Sequence, residues 1–373
     1  MKKLYPIALG AAGLLLGAAL VLTLLGRGAS LDWLVISGLL LLALGIRTFP
    51  AYASLTFTVL IVTSVAVALY HPEYLLKWGN FELKVLIVPL MQIIMFGMGT
   101  IMTAEDFLGV IKMPKGIIVG LIAHYVIMPG VGFTLANVFG FPAEIAAGVV
   151  LIGCVPSGLA SNVICYISRA NVPLSVSVTT VSTLMAPVLT PALMKLLAGQ
   201  FVPVSFTAMM FDILKVVILP IVVGLLLNTF FPAFIKKIKT LLPLISMAAI
   251  VIIVGIITST GRDKLLSIGL LLLVSSLIHN LAGYLLGYWT GRLTGLDESS
   301  SRTIAIEVGM QNGGLASALA LQMGKVGTVG LAPAIFGPLM NTTGSILANY
   351  WRSRPPKGAV EPMTKPIKEA SGT

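Results

Sequence analysis

The sequence predicts an all-α protein that crosses a membrane many times. Of its 373 residues, 57% are hydrophobic and only 10% are charged, and the mean hydropathy is +1.02. A soluble domain carries about 25% charged residues, so the composition is that of a membrane protein. Apolar runs also recur along the chain at lengths near the roughly 20 residues that a helix needs to cross the hydrocarbon core.

The charge and cysteine patterns argue against several other classes of function. The net charge of +11 comes from lysines and arginines in short breaks between apolar runs, as in cytoplasmic loops, so we expect no nucleic-acid partner. Cys154 and Cys165 offer no disulfide framework, and His71, His124 and His279 lie far apart. The sequence has no phosphate-binding loop, GxSxG or HExxH motif. We therefore expect neither an enzyme nor a transition-metal or cofactor site.

The apolar runs define twelve candidate spans in chain order. They cover residues 5–26, 31–47, 52–70, 84–103, 114–138, 142–167, 172–197, 207–230, 241–259, 265–291, 299–323 and 326–350. With both termini in the cytoplasm, most lysines and arginines fall on the inside, as the positive-inside rule requires. The first run also resembles a signal peptide, but it lacks a clear cleavage site and leads directly into more apolar sequence, which favours an uncleaved helix. We expect a multi-pass protein of the cell (inner) membrane, in contact with lipid.

One span contains an unusual group of polar residues, in the stretch "IAIEVGMQNGGLASALA". Glu307 should lie roughly two helical turns inside the membrane boundary, where a carboxylate is costly unless it meets a cation or water. It could pair with Arg302 near the interface, or it could bind an ion. Three glycines follow it closely: Gly309, Gly313 and Gly314. They weaken the helix, and an unwound turn would expose carbonyls to a cation, although glycines also make close helix-packing seams.

A second interrupted span lies about 150 residues earlier, in "GCVPSGLASNVICYISRANVPLSVSVTTV". Pro156 and Gly158 interrupt the helix. Polar side chains follow at Ser161 and Asn162, and again, one helical turn apart, at Ser175 and Thr179. A lone hydroxyl in a membrane helix usually bonds back to its own backbone, but an amide and several hydroxyls beside a helix break are more typical of a binding site.

The two interrupted segments occupy matching places in two halves of the chain. Residues 49–200 and 201–352 each supply five spans, with the break in the fourth, and such a pattern indicates the substrate site of an inverted-repeat transporter. Because five is odd, the halves should enter the membrane from opposite sides. Residues 1–48 would add about two helices, and residues 353–373 would form a polar cytoplasmic tail.

Several motifs agree in order and spacing with one known family: "IIMFGMG", "IMPG", "GCVPSGLASNV", "NVPLSVSVTTVSTLMAPVLTP" and "IEVGMQNGG". Over residues 50–352 the chain resembles the bile acid:sodium symporter family, as a bacterial-type member with an N-terminal extension. The resemblance implies six core helices, including two broken helices that cross, and a panel of four more. It also implies import of an organic anion with Na⁺ by alternating access. The anion could be a bile acid, a steroid conjugate, or a small carboxylate such as pantoate or pyruvate.

The resemblance further implies the roles of individual residues. The first sodium site would contain Ser161, Asn162, Ser175, Thr179 and Glu307. The second would contain Glu307, Gln311, the carbonyls of Val308 and Met310, and, at a position where relatives often have glutamine, His124. The substrate would bind near Leu159, Ala160, Asn312, Gly313, Gly314 and Asn341.

Three departures and two rival functions accompany the resemblance. Leu159 and Gly313 stand where relatives often have threonine and serine. His124 is a poor ligand for a hard cation, so the second sodium ion would bind weakly or be replaced by a proton. A proton-coupled carrier or a cation/proton antiporter is the alternative, although Glu307 has no acidic neighbour in its segment. A receptor with the same fold would bind the anion without accumulating it.

Overall fold

The computed structural model describes residues 4–25, 31–49, 55–102 and 113–356, and these ranges are almost entirely helical. The predicted tail beyond residue 356 lies outside the described residues.

The first part of the chain forms nine α-helices and one small β-hairpin. The helices are α1 Leu4–Leu24, α2 Leu31–Gly45, α3 Leu55–Tyr70, α4 Glu73–Leu76, α5 Ile87–Ile101, α6 Pro114–Val138, α7 Ala143–Cys154, α8 Ala160–Ile167 and α9 Val172–Leu193. Strands β1 (Lys77–Trp78) and β2 (Phe81–Glu82) pair antiparallel between α4 and α5. Short 3₁₀ turns follow α2 and precede α5, at Ile46–Thr48 and Leu83–Leu86.

The second part of the chain continues with eight α-helices. They are α10 Phe206–Ile213, α11 Leu219–Phe230, α12 Pro232–Ile238, α13 Leu242–Thr260, α14 Arg262–Leu293, α15 Glu298–Gly309, α16 Gly313–Gln322 and α17 Leu331–Arg352. A π-helical segment extends α9 over Met194–Ala198, and another joins α10 to α11 over Leu214–Ile218.

Every predicted span has a counterpart among these helices, so the prediction of an all-α polytopic membrane protein is confirmed. Among the described residues, eight helical segments are long and apolar enough to cross a membrane without interruption. Two predicted spans are instead split, into α7 with α8 and into α15 with α16. The strands contribute only a short turn between helices.

The split helices lie at the centre of the bundle. Every residue of α7 from Ile145 to Cys154 is buried, and so is every residue of α15 from Ser300 to Gly309. A helix that is buried on all sides must be surrounded by protein. Small residues make this possible: a Cβ atom at Gly148 would clash with the carbonyl oxygen of Val329. Such close approach replaces hydrophobic association as the source of packing in lipid.

The N-terminal helices α1 and α2 form a hairpin at the edge of the bundle. The two helices pack on each other, and α2 packs on α3. At the start of α2, Asp32 Oδ2 lies 2.7 Å from His71 Nε2, and the Trp33 ring stacks on the His71 ring at 4.8 Å between centroids. This contact anchors the hairpin to the end of α3, away from the split helices.

Candidate functional site

The two helix breaks cross each other and are joined through their backbones. Ser157 and Gln311 form an isolated antiparallel bridge. The Gly158 N–H donates to the Met310 carbonyl at 3.1 Å, and the Asn312 N–H donates to the Pro156 carbonyl at 2.9 Å. The N–H and carbonyl groups of each unwound segment therefore form hydrogen bonds with the other segment. Irregular backbone is tolerated at membrane depth only when its polar groups have such partners within the protein.

Local sequence explains why the helices stop and restart here. Proline at position 156 supplies no N–H to continue α7, and the backbone is extended at Val155 and Met310. The side chain of Asn312 then caps α16 by accepting the Leu315 N–H at 3.0 Å. Glycine is required at position 158, because a Cβ atom there would lie 2.6 Å from the Gln311 carbonyl oxygen.

The five residues predicted for the first sodium site lie together around the Glu307 carboxylate, which is fully buried. Ser175 Oγ lies 2.5 Å from Glu307 Oε1, and Thr179 Oγ1 donates to Oε2 at 2.8 Å. These hydroxyls reach the same carboxylate because residues four apart share one face of α9. Ser161 Oγ lies 3.3 Å from Thr179 Oγ1, and Asn162 Oδ1 lies 2.8 Å from Ser175 Oγ.

This cluster contains more oxygen lone pairs than protons. Ser175 has one hydroxyl proton but lies within hydrogen-bond distance of two acceptors, Glu307 Oε1 and Asn162 Oδ1. When Glu307 is ionised, one of these oxygen pairs therefore has no proton between its members. Such a surplus of acceptors suits a cation with hard oxygen ligands.

Pairing of Glu307 with Arg302 is ruled out by the geometry. The Arg302 Nε donates to Glu298 Oε1 at 2.8 Å, and its other nitrogens donate to backbone carbonyls, including that of Trp351 at 3.2 Å. Within the described ranges, no basic side chain forms an ion pair with Glu307. A buried carboxylate without a cation is expensive, so the charge of Glu307 must be compensated by a bound cation or removed by a proton.

The residues predicted for the second sodium site are also close together, but most of their acceptors already have donors. The Val308 carbonyl accepts from Gln311 Nε2 at 2.7 Å, and the Met310 carbonyl accepts from Ser157 Oγ at 3.2 Å in addition to the Gly158 N–H. Gln311 Oε1 is buried and, among the described residues, has no hydrogen-bond partner. This side-chain oxygen therefore remains available to a ligand.

His124 connects the two broken helices. Its Nδ1 lies 2.9 Å from the Glu307 carbonyl oxygen, and its Nε2 lies 2.9 Å from the Val155 carbonyl oxygen. The ring is fully buried between them. His124 therefore fills its predicted position with two nitrogen atoms and contributes no oxygen.

A cavity of about 130 Å³ lies at the crossing. All six residues predicted to contact substrate line it: Leu159, Ala160, Asn312, Gly313, Gly314 and Asn341. The opposite wall comes from α3, α5 and α13, including Phe57, Met91 and Ile253. Helices α8 and α16 both begin at this cavity, and their N-termini present backbone N–H groups and a partial positive charge.

The glycines near Glu307 have two different roles. A Cβ atom at Gly309 would clash with the Tyr284 ring. This glycine therefore allows two helices to pack closely, which is one of the two roles that the sequence suggested for the glycines near Glu307. Gly313 instead lines the cavity, and an added Cβ atom there would have its nearest neighbour at 3.5 Å. The packing seam and the helix break thus lie next to each other in the chain.

Sequence reasoning missed a second set of polar contacts at the break. Asn280 is fully buried in α14 and its Nδ2 donates to the Gly309 carbonyl at 2.8 Å. Thr343 donates to Asn280 Oδ1 at 2.5 Å, and the Tyr284 hydroxyl donates to the Met340 carbonyl at 3.1 Å. The signal was present in "LIHNLAGY", where an amide interrupts an otherwise apolar helix.

The described residues contain no group of three or more histidine, cysteine, aspartate or glutamate side chains arranged to hold a metal ion. The oxygen donors around Glu307 are mainly neutral hydroxyl and amide groups. One carboxylate with neutral oxygens fits a monovalent cation better than a transition metal.

Comparisons with known proteins identify relatives of the chain. A model of the sodium bile acid symporter family matches residues 88–268. The uncharacterized sodium-dependent transporter YocS of Bacillus subtilis (strain 168) is 42% identical over 310 residues, which is 83% of this chain and 94% of that protein. The protein named probable sodium/metabolite cotransporter BASS1, chloroplastic, from Oryza sativa subsp. japonica is 36% identical over 308 residues, or 81% of this chain and 74% of that protein.

Proposed function

Because the chain belongs to the sodium bile acid symporter family, we propose that it is a symporter that uses a sodium gradient to import an organic anion. It is a multi-pass membrane transporter and not an enzyme, since its relatives are named as sodium-dependent transporters or sodium/metabolite cotransporters.

The observation that carries the proposal is the unpaired Glu307 carboxylate at the crossing of the broken helices. We assign one sodium ion to the oxygens of Ser161, Asn162, Ser175, Thr179 and Glu307. The surplus of acceptors over protons in this cluster supports the assignment. Sodium bound there would connect α8, α9 and α15, and so would hold the two breaks in one arrangement.

A second sodium position around Val308, Met310 and Gln311 is proposed to be weak. Two of its carbonyls already accept protein hydrogen bonds, and both ring nitrogens of His124 lie 2.9 Å from carbonyl oxygens, so the ring offers a cation neither an oxygen nor a free nitrogen. Hard cations such as Na⁺ prefer oxygen. We therefore propose that one strongly bound sodium ion drives transport.

The substrate is proposed to bind in the cavity at the crossing, with its anionic group toward the N-termini of α8 and α16. The described residues that line this cavity include no lysine, arginine or histidine, so the backbone N–H groups and the helix dipoles would supply the positive potential. Asn312 and Asn341 provide polar side chains beside them. Sodium at Glu307 would stabilise both half-helices and so create the anion site.

Transport is proposed to proceed by alternating access. The cavity lies between the split helices on one side and α3, α5 and α13 on the other, so relative movement of these two groups would expose it to either face of the membrane. We further propose that residues 49–200 and 201–352 are inverted repeats, because each contains its break in the fourth span. Such a pair of repeats would place the site at its pseudosymmetry axis.

The first test is the melting temperature of the purified protein in rising NaCl, with choline chloride holding the ionic strength constant. A ligand at ten times its dissociation constant stabilises the folded state by about 1.4 kcal/mol. We expect sodium to raise the melting temperature of the native protein, and Glu307→Gln to abolish this rise. Glu82→Gln is the matched control, because Glu82 is exposed in β2 and pairs with Lys84 at 2.7 Å.

A lack of any sodium-specific stabilisation would contradict the proposal. If the melting temperature followed pH instead of sodium, a proton-coupled carrier would replace it. Uptake of candidate anions (pantoate, pyruvate and taurocholate) into proteoliposomes with and without an imposed sodium gradient then separates a transporter from a receptor. A receptor would bind an anion without accumulating it.

A further inference from the structure

A second cavity lies between α14 and α17 and has a volume of about 670 Å³. Its walls are one face of each helix. The face of α14 includes Leu281, Leu285 and Tyr288, and the face of α17 includes Ile346, Tyr350 and Trp351. Residues at these spacings lie on one side of a helix, so two apolar stripes face each other across an unfilled groove.

The groove opens to the outside of the bundle. Leu285 is 58% exposed and Ile346 is 64% exposed. An exposed apolar surface between membrane helices is in contact with lipid chains. The volume of the groove is within the range of about 300–1,000 Å³ that is typical of small-molecule sites. The groove therefore has room for a lipid acyl chain to bind inside it.

The groove ends in a cluster of arginines, on the side that the distribution of basic residues predicts to be cytoplasmic. The cluster comprises Arg292, Arg302 and Arg354: Arg292 and Arg302 both lie beside Glu298, and Arg302 donates to the carbonyls of Trp351 and Arg354. Glu298 lies 2.8 Å from Arg302 and 3.6 Å from Arg292 and so neutralises part of this charge. In the described part of the chain, Arg354 forms no ion pair with an acidic side chain.

Aromatic rings hold this charge at the mouth of the groove. The Arg354 guanidinium lies 3.9 Å from the centroid of the Tyr350 ring, and the Arg302 guanidinium lies 5.4 Å from the Trp351 ring. Tyrosine and tryptophan are enriched at the level of the lipid headgroups. The apolar groove and the positive charge are therefore in the relative positions of a lipid chain and its headgroup.

We propose that this groove is a binding site for an anionic phospholipid, with an acyl chain between α14 and α17 and the phosphate on Arg292 and Arg354. Basic pockets between membrane helices on the cytoplasmic side recognise such headgroups. Charge complementarity favours an anionic lipid over a zwitterionic one. The site does not depend on sodium or on the transported anion, so its test is independent of the proposed transport function.

The bound lipid would also contact a series of hydrogen-bonded side chains that reaches the second helix break. Tyr284 and Thr343 line the groove. Thr343 donates to Asn280, and Asn280 donates to the Gly309 carbonyl at the end of α15. The groove is therefore connected to the broken helix by two consecutive hydrogen bonds.

The test is native mass spectrometry of the purified full-length protein in detergent, titrated with phosphatidylglycerol or with phosphatidylcholine of the same acyl chains. We expect tighter binding of phosphatidylglycerol. Each arginine removed should weaken it about fivefold, since a basic residue near an anionic headgroup contributes roughly 1 kcal/mol. The double variant R292Q/R354Q should therefore lose most of the preference, and each single variant should lose part of it.

Two matched controls separate a specific site from general attraction. Arg47→Gln removes one arginine at the predicted cytoplasmic end of the N-terminal hairpin, far along the chain from the groove, and should leave the preference unchanged. Ile346→Trp narrows the groove and should weaken binding, whereas Ile122→Trp changes the same residue type at a site on α6 that is 60% exposed, and should not.

Three results would overturn the proposal. One is equal binding of the two lipids by the native protein. Another is a loss of preference in R47Q as large as that in either single groove variant, which would indicate diffuse electrostatics. The third is conversion of a dimer to a monomer by Ile346→Trp, which would show that the groove is a contact between two copies of the chain.

Discussion

At the scale of single residues, two buried hydroxyls of α9 differ in their hydrogen-bond partners. Thr183 Oγ1 donates to the Thr179 carbonyl one turn earlier in the same helix, at 2.7 Å. Thr179 Oγ1 instead donates to Glu307 at 2.8 Å. The first is the ordinary behaviour of a hydroxyl in a membrane helix. The second serves a carboxylate on another helix, and the difference marks Thr179 as part of the site.

This difference provides a matched pair of variants. Thr179→Val keeps the shape of the side chain but removes an oxygen from the proposed sodium site, at a cost of about 1–3 kcal/mol for a lost buried partner. We expect sodium affinity, measured by the shift in melting temperature, to fall by roughly tenfold or more. Thr183→Val makes the same chemical change one turn away and should leave the sodium response intact. Equal effects of the two variants would contradict the assignment of Thr179.

A second residue-scale prediction concerns His124. Because its ring supplies nitrogen where a hard cation prefers oxygen, His124→Gln should increase the amount of sodium bound per chain, toward two ions. The measurement is equilibrium binding of radioactive sodium to purified protein. His279→Gln is the control: His279 is also buried and bonds the Met128 carbonyl at 2.9 Å, but in the other half of the chain. An unchanged ratio in His124→Gln would show that the histidine does not limit binding.

At the scale of elements, the crossing of the two breaks depends on the close approach of two backbones. A Cβ atom at Gly158 would lie 2.6 Å from the Gln311 carbonyl oxygen. The Gly158 N–H also donates to the Met310 carbonyl, so a shift at this point would disturb the bridge. The position of α8 relative to α16, and with it the shape of the cavity, is set by this contact.

Gly158→Ala should therefore separate the breaks and weaken the sodium response more than it weakens the fold. Overpacking of this kind costs about 1–3 kcal/mol. We expect a lower melting temperature than that of the native protein, and a smaller rise of the melting temperature when NaCl is added. Gly130→Ala in α6 is the control, because an added Cβ atom there meets no atom within 4 Å. A full sodium response in Gly158→Ala would show that the crossing tolerates movement.

At the scale of the whole molecule, the sequence predicted the parts of the fold that depend on local composition. Apolar runs predicted the spans, and Pro156 and the glycines near Glu307 predicted both breaks. Contacts between distant backbones were less predictable. Asn280 was not recognised because its partner, the Gly309 carbonyl, becomes a free acceptor only when α15 ends there and α14 packs beside it. Arg302 was a plausible partner for Glu307 until the structure placed it on Glu298.

The site residues were brought together as predicted, but their roles as ligands stay predictions, as do the inverted repeats and the orientation of the termini. The family motifs predicted the four residues whose oxygens lie around Glu307, namely Ser161, Asn162, Ser175 and Thr179, and six of the residues that line the cavity. They did not predict that the second group of carbonyls would already be hydrogen-bonded. Whether these carbonyls are hydrogen-bonded depends on the positions of the Ser157 and Gln311 side chains, which no periodicity or motif specifies.

The histidine between the two breaks also has a consequence for energetics. When one sodium ion accompanies each singly charged anion, the loaded carrier moves no net charge across the membrane. Membrane voltage, which contributes about 2.3 kcal/mol per charge at 100 mV, would then do no work on the cycle. The highest ratio of internal to external anion concentration would then equal the ratio of external to internal sodium concentration. A cell that depolarised at a constant sodium gradient would therefore keep the anion that such a carrier had imported.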